Sequence, residues 1–258
     1  MIKDFILKRV ETLKKESGII SIALVGSYAR NEENEFSDID ILCLKTRKKE
    51  SKIEIIDKKY FVISYLNKKE LEETFTSPVK ASKNISGLKT SVILFDPKNY
   101  FLNIKKRAKN FLWDEEMIQK RNKYINAEFL GWIEEINKSL QGLILNDMGK
   151  MIMGLHGLTF GMFDIISIYK CLLIKSDNSF FPQVIQSMNK NVKFVKNSFL
   201  AFGIDKSDGI IGRTVAGFEV FFQAYFTVKE VLYQKNRDII EHKILEINNS
   251  IKNLNSHK

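Results

Sequence analysis

The chain opens with Ile2, Phe5, Ile6, Val10 and Leu13 on one helical stripe and lysine and glutamate opposite. This spacing predicts a helix over residues 2–15, closed by Gly18. The apolar run Ile19 to Val25 reads as a buried strand, broken at Gly26-Ser27, and Ile39 to Leu44 as a second strand that begins within an acidic cluster. Lys52 to Asp57 and Tyr60 to Leu66 read as the arms of a hairpin turning at Lys58-Lys59. Asn67 with Glu70 three residues later forms a capping box for a short helix, which Ser77-Pro78 is expected to end. Leu88 to Phe95 reads as a further strand. Beyond Lys98 the periodicity is helical throughout, with breaks near Asn146-Asp147, residues 176–178 and residues 206–209.

This order, strands with helices first and helices alone afterwards, predicts an α+β protein. A small mixed-sheet domain over residues 1–105 is followed by an all-helical bundle over residues 106–258. With 258 residues and 44% hydrophobic positions the chain can bury a full core without disulfides. Cys43 and Cys171 both lie in apolar runs and read as buried free thiols of a reducing compartment. No cleavable signal peptide and no apolar run of membrane-spanning length is read from the pattern, so the expected location is the cytoplasm and no membrane partner is expected.

Charge is uneven. Through Asn110 there are 23 basic and 15 acidic residues, and in the remainder 18 and 16. The front of the chain should therefore attract anions such as a triphosphate, with nucleic acid a less favoured partner. Scattered surface lysines account for the same numbers equally well.

The chemistry lies in Ala23-Leu24-Val25-Gly26-Ser27-Tyr28-Ala29-Arg30 and Ser37-Asp38-Ile39-Asp40-Ile41. A strand, then Gly-Ser, then a helix start puts free backbone N–H groups at the mouth of a cleft. Gly26 lets the backbone approach a phosphate, and Ser27 adds a hydroxyl donor. Asp38 and Asp40, two apart on a strand, place their carboxylates on one face, where a divalent cation relieves their repulsion. An all-oxygen site that leaves room for phosphate oxygens suits Mg2+.

This run resembles the signature of the DNA polymerase β-like nucleotidyltransferases, a superfamily that includes aminoglycoside and lincosamide nucleotidyltransferases and minimal nucleotidyltransferase antitoxins. The resemblance implies that Gly26 and Ser27 hold a triphosphate, that Asp38 and Asp40 ligate Mg2+, and that Ser37 positions the start of the strand beside the nucleotide. Arg30 either neutralises phosphate charge or pins the loop through a carboxylate. Asn31 stands where the family often has glycine, and asparagine tolerates positive φ. The family also places a third carboxylate on a later strand. Here the matching stretch, Tyr60 to Leu66, has no acid, and Ser64 is the polar residue nearest that position. Glu54 and Asp57 on the other arm of the hairpin, or Glu128, Glu134 or Glu135 in the helical half, are the substitutes considered for a third ligand or general base, with Glu54 and Asp57 reading more readily as surface charges.

The expected function is Mg2+-dependent transfer of a nucleoside monophosphate, AMP from ATP, onto a hydroxyl of a small-molecule acceptor, an antibiotic among the classes. The alternatives are transfer to RNA or a protein, and a nucleotide-binding protein whose catalysis is weakened by the missing acid. His156, Trp113, Trp132 and the Phe218 to Phe226 stripe read as core, the last with a subunit interface as a second use and a dimer as a compatible assembly.

Overall fold

The computed structural model describes residues 3–47, 49–206 and 209–256. The chain divides into two units, Met1–Met117 with Leu173–Asp177, and Ile118–Leu172 with Asn178–Lys258.

The first unit runs α1 (Asp4–Leu13), β1 (Ile19–Val25), α2 (Gly26–Arg30), β2 (Ile39–Lys45), β3 (Lys52–Ile56), β4 (Lys59–Leu66), α3 (Lys68–Glu72), a 3-10 turn (Glu73–Phe75), α4 (Pro78–Thr90), β5 (Val92–Phe95) and α5 (Tyr100–Lys109). The sheet order is β3-β4-β2-β1-β5. β2 and β4 are parallel and the other pairs antiparallel, which makes the sheet mixed.

Side-chain alternation gives the sheet two different faces. Ile22, Leu24, Ile39, Ile41, Cys43, Phe61, Ile63 and Tyr65 form one core with Ile6, Val10 and Leu13 of α1. Ala23 and Leu44 form another with Ala81, Ile85 and Leu88 of α4 and Phe101, Ile104 and Ala108 of α5. Asp40 and Leu42 share parity with Leu44, so Asp40 belongs to the second face.

Several sequence expectations need correction here. The hairpin turns one residue earlier than expected. Asp57 and Lys58 take φ of 50° and 62°, and Ile56 pairs with Lys59. Gly18 does not close α1, which ends at Leu13; at φ 79° it turns the chain into β1. Ser77-Pro78 ends the Asn67-capped segment but also starts α4, which the periodicity did not predict. Ser77 Oγ accepts from Lys80 N, and Pro78, lacking an N–H, suits the first helical turn. The strand expected over Leu88 to Phe95 is therefore only Val92–Phe95. The units divide at Met117/Ile118 rather than at 105/106, because α5 buries Phe101, Ile104 and Ala108 in the sheet core.

The second unit is helical. α6 (Glu115–Gly131), within which the division falls, is followed by α7 (Ile133–Leu145), α8 (Met148–Tyr169), α9 (Asp177–Ser187), α10 (Val192–Phe202), α11 (Gly209–Val228), a 3-10 turn (Lys229–Val231) and α12 (Gln234–Ser256). Phe163 is central to its core, with the rings of Phe180, Phe181, Phe194 and Phe202 at 6.2, 5.3, 5.5 and 5.2 Å. α8 is long and apolar enough to cross a membrane by length and composition, contrary to the sequence reading. Its apolar window is 67% buried inside the protein, as for a bundle's central helix. Trp132 packs where Gly161 of α8 has no side chain, and Phe218, Phe221 and Phe222 are buried. These aromatics are core.

Candidate active site

Strand β1 delivers the chain to Gly26 beside Asp40, because Val25 and Asp40 are partners in the antiparallel ladder. Gly26 takes φ 71°, a conformation open to glycine and costly for other residues. A Cβ there would run into the Asp40 carboxylate, with Cγ at 3.0 Å and Cβ at 3.2 Å. The glycine and the aspartate are thus packed on one another, and the Gly-Ser turn and the acidic strand meet at one place.

The helix that follows is only five residues long, and no side chain caps its N-terminus. The first amide groups of such a turn have no acceptor within the helix, and Ser27 stands among them half-buried. Asn31 ends the helix at φ 55° and ψ 40°, the left-handed turn that asparagine accommodates. Glu32 N donates to Ser27 O at 3.0 Å.

The loop from Asn31 to Asp38 is held by its own side chains. Asn34 Oδ1 accepts from Phe36 N at 2.9 Å, and Ser37 Oγ accepts from Asn34 N at 2.9 Å. Ser37 therefore shapes the approach to β2. Arg30 Nε donates to Glu32 Oε2 at 2.8 Å, and Glu32 also pairs with Lys175. Of the two roles open to Arg30, pinning the loop is the one visible in these contacts. Its charge also reaches Asp40, whose pKa it lowers.

Asp38 is exposed and Asp40 half-buried. Burial, and then the neighbouring charge of Asp38, push the Asp40 carboxyl up to about 6, against the smaller opposing effect of Arg30. A carboxylate held in that position lacks a compensating cation. A divalent ion would fit here by charge and by the oxygen donors.

The parallel ladder sets Val62 beside Asp40 and Ser64 beside Leu42. Ser64 thus shares the face of Asp40, two residues further along. Glu54 does not: it pairs with Phe61 on the opposite face, where Arg9 Nη2 and Lys52 Nζ bind it at 2.6 and 2.8 Å. Glu128 is exposed on α6 in the second unit. Glu134 and Glu135 pair with Lys138 at 3.2 and 2.6 Å. Among the described residues no group of three or more His, Cys, Asp or Glu could hold a metal. Phosphate oxygens and water would have to complete the coordination begun by Asp38 and Asp40, a pattern usual for Mg2+.

One feature of the site was not anticipated from the sequence. Ile53, Ile55 and Tyr60 share the sheet face of Asp40 and are 69%, 66% and 57% exposed, and Phe36, two residues before Asp38, is 88% exposed. Ile53 and Ile55 alternate with Lys52 and Glu54 as in an ordinary half-buried strand, but here the isoleucines take the open side.

Residues 6–113 match the profile of the nucleotidyltransferase domain family. Two Methanocaldococcus jannaschii proteins, each named "Putative protein adenylyltransferase", are 56% and 54% identical to this chain over 41 residues. Those residues are 16% of this chain and 42% of each relative, so the chain spans about two-fifths of the length of the curated relatives it matches. A nucleotidyltransferase-like protein from Exiguobacterium sibiricum has a similar fold, with a TM-score of 0.54 at 11% identity over 87% of this chain and 75% of that one.

Proposed function

Taking residues 6–113 as a nucleotidyltransferase domain of the DNA polymerase β-like superfamily, we propose that this chain transfers AMP from ATP onto a hydroxyl group at the Gly26–Asp40 site. The observation that carries the reading is the packing of Gly26, without a side chain, against the carboxylate of Asp40. This packing supports reading the backbone turn suited to phosphate and the proposed metal ligand Asp40 as parts of one site.

In this reading the amides of Gly26 and Ser27 and the Ser27 hydroxyl bind the triphosphate. Asp38 and Asp40 hold Mg2+, and Arg30 and Glu32 fix the loop that carries them. When bound, Mg2+ supplies the charge that polarises the α-phosphoryl group and stabilises the leaving pyrophosphate. Ser64 is the polar residue of β4 nearest the position expected for the family's third carboxylate, and a serine offers neither a strong ligand nor a base. Turnover is therefore expected to be slow, and the limiting form of this reading is a nucleotide-binding protein with little catalysis.

The acceptor we favour is a protein side chain. The names of the relatives support it, and so does the apolar surface of Phe36, Ile53, Ile55 and Tyr60, which suits a macromolecular partner better than a polycationic small molecule. A small-molecule hydroxyl, antibiotics included, is the second reading, supported by the helical unit that follows the nucleotidyltransferase domain. Incubation with Mg-ATP and each acceptor class, read by mass spectrometry, tests both. Gain of one nucleotide by the acceptor, lost in Asp40→Asn, is the expected result. Absence of both Mg-ATP binding and transfer would sink the proposal.

A further inference from the structure

The register of β2 and β4 places a tyrosine on the sheet face of Asp40. Ile39 lies beside Phe61 and Asp40 beside Val62. Tyr60 stands two residues before Val62, so it shares the sheet face of Asp40 at the end of β4 that lies next to the start of β2. Adjacent strands are about 4.8 Å apart, so a phenol on β4 is long enough to reach across toward the Asp40 carboxylate. Tyr60 is 57% exposed, so its hydroxyl is open to solvent. The other tyrosines of this unit differ. Tyr28 and Tyr65 are buried, Tyr65 donating to Glu16 at 2.9 Å, and Tyr100 is half-buried under Lys68.

The chemistry of the site favours a phenol. The positions flanking Asp40 on β4 are Tyr60, Val62 and Ser64, so no carboxylate stands on that strand to take a proton from an attacking hydroxyl. A phenol gives up its proton far more readily than an aliphatic alcohol and depends less on such a base.

We propose that Tyr60 is an acceptor of this chain's own nucleotidyl transfer, so that the protein adenylylates itself at this position. The proposal rests on the reading of the Gly26–Asp40 site given above. The Tyr60 oxygen attacks the α-phosphorus of ATP. A new oxygen–phosphorus bond forms, the bond from the α-phosphorus to the bridging oxygen breaks, and pyrophosphate leaves with that electron pair. The phenolic proton passes to water. The product is a phosphodiester-linked AMP lying across the acceptor side of the site, so each chain reacts once and then stops.

The test uses the full chain with Mg2+ and ATP labelled in the α-phosphate, followed by peptide mapping, with Mg-ATP affinity measured separately by calorimetry. The expected result is at most one AMP per chain, on the peptide containing Tyr60. Tyr60→Phe lowers the label at least ~10-fold while Mg-ATP still binds. Asp40→Asn abolishes the label. A rate independent of protein concentration identifies attack within one chain, and a rate rising with concentration identifies attack between copies; both support the assignment. Tyr233, 60% exposed in the second unit, serves as the internal control and stays unlabelled. Binding of Mg-ATP without label on Tyr60, or label that survives Tyr60→Phe, overturns the self-modification alone. Failure to bind Mg-ATP overturns the site reading and the self-modification with it.

Discussion

Glu16, in the turn between α1 and β1, and Asp40, on β2, lie toward opposite faces of the first unit's sheet, and the protein treats them in opposite ways. Glu16, on the α1 side, accepts from Lys49 at 2.6 Å and Tyr65 at 2.9 Å, with Lys45 and Lys52 at 3.4 Å. Burial works to raise its pKa, but hydrogen bonds from Lys49 and Tyr65 and the charges of Lys49 and Lys52 outweigh it and bring it down to about 2. Asp40, on the other face, meets another aspartate, a glycine and one arginine already paired with Glu32, and its pKa rises to about 6. Glu16 is a satisfied charge that ties α1 to the sheet. Asp40 is a half-buried charge whose nearest cation is shared with Glu32, and the proposed reading gives it a divalent ion as its partner.

Substitution separates the two most sharply. Asp40→Asn should abolish nucleotidyl transfer, a loss of roughly 1000-fold or more, because the proposed site would lose one of its two metal ligands. The same change should stabilise the metal-free protein at neutral pH by about 1–2 kcal/mol, since it removes a strained negative charge. Pyrophosphate release and denaturant unfolding read these separately. A variant that kept its activity, or lost stability, would erase the distinction between the two faces.

Gly26→Ala should come next. The added methyl meets the Asp40 carboxylate at a backbone conformation that alanine disfavours. We expect a roughly 100-fold weaker response to Mg-ATP, measured by calorimetry, with stability lower by about 1–3 kcal/mol. Glu16→Gln should do the reverse of Asp40→Asn. It should cost about 1–2 kcal/mol in urea unfolding, after allowance for solvent screening, and leave transfer within a few-fold of the native rate.

The smallest effect is the dependence of stability on pH, and it runs in opposite directions at the two sites. The folded pKa of Glu16 lies below its ordinary value of 4.5, so its contribution is present above about 4.5 and is lost as pH falls toward 2. The folded pKa of Asp40 lies above its ordinary 3.8, so the folded state is favoured most below that value and loses stability as pH rises through about 6. Mg2+ should cancel the second loss. Unfolding curves from pH 3 to 8 (about 0.5 steps) with and without Mg2+ should diverge only above about 5.

The sequence made some of this legible. Gly26, Ser27, Asp38 and Asp40 stood out because a phosphate turn and an alternating acid pair have short, local spacings. The hydrophobic periods likewise separated a sheet unit from a helical one. What escaped needed pairing information. Ser64 read as the polar residue nearest the third position and Glu54 as a surface charge, but only the register puts Glu54 under Arg9 and Ser64 on the face of Asp40. Tyr60 and Ile55 looked like ordinary strand residues, because alternation shows that a strand has two faces but not which of them is covered. Helix α4 was missed because its apolar stripe is weak and one Ser-Pro pair both ends a segment and begins the next.

The central claim is that Asp40 is kept as an unpaired carboxylate in order to bind a cation. Carbon-13 NMR of the side-chain carboxyl groups, titrated in the metal-free protein and again with Mg2+ and ATP, tests this most directly. The account predicts a midpoint of about 6 for Asp40 without metal and a fall of at least ~2 units when Mg-ATP is added. A midpoint near the ordinary 3.8, unmoved by Mg-ATP, would contradict it.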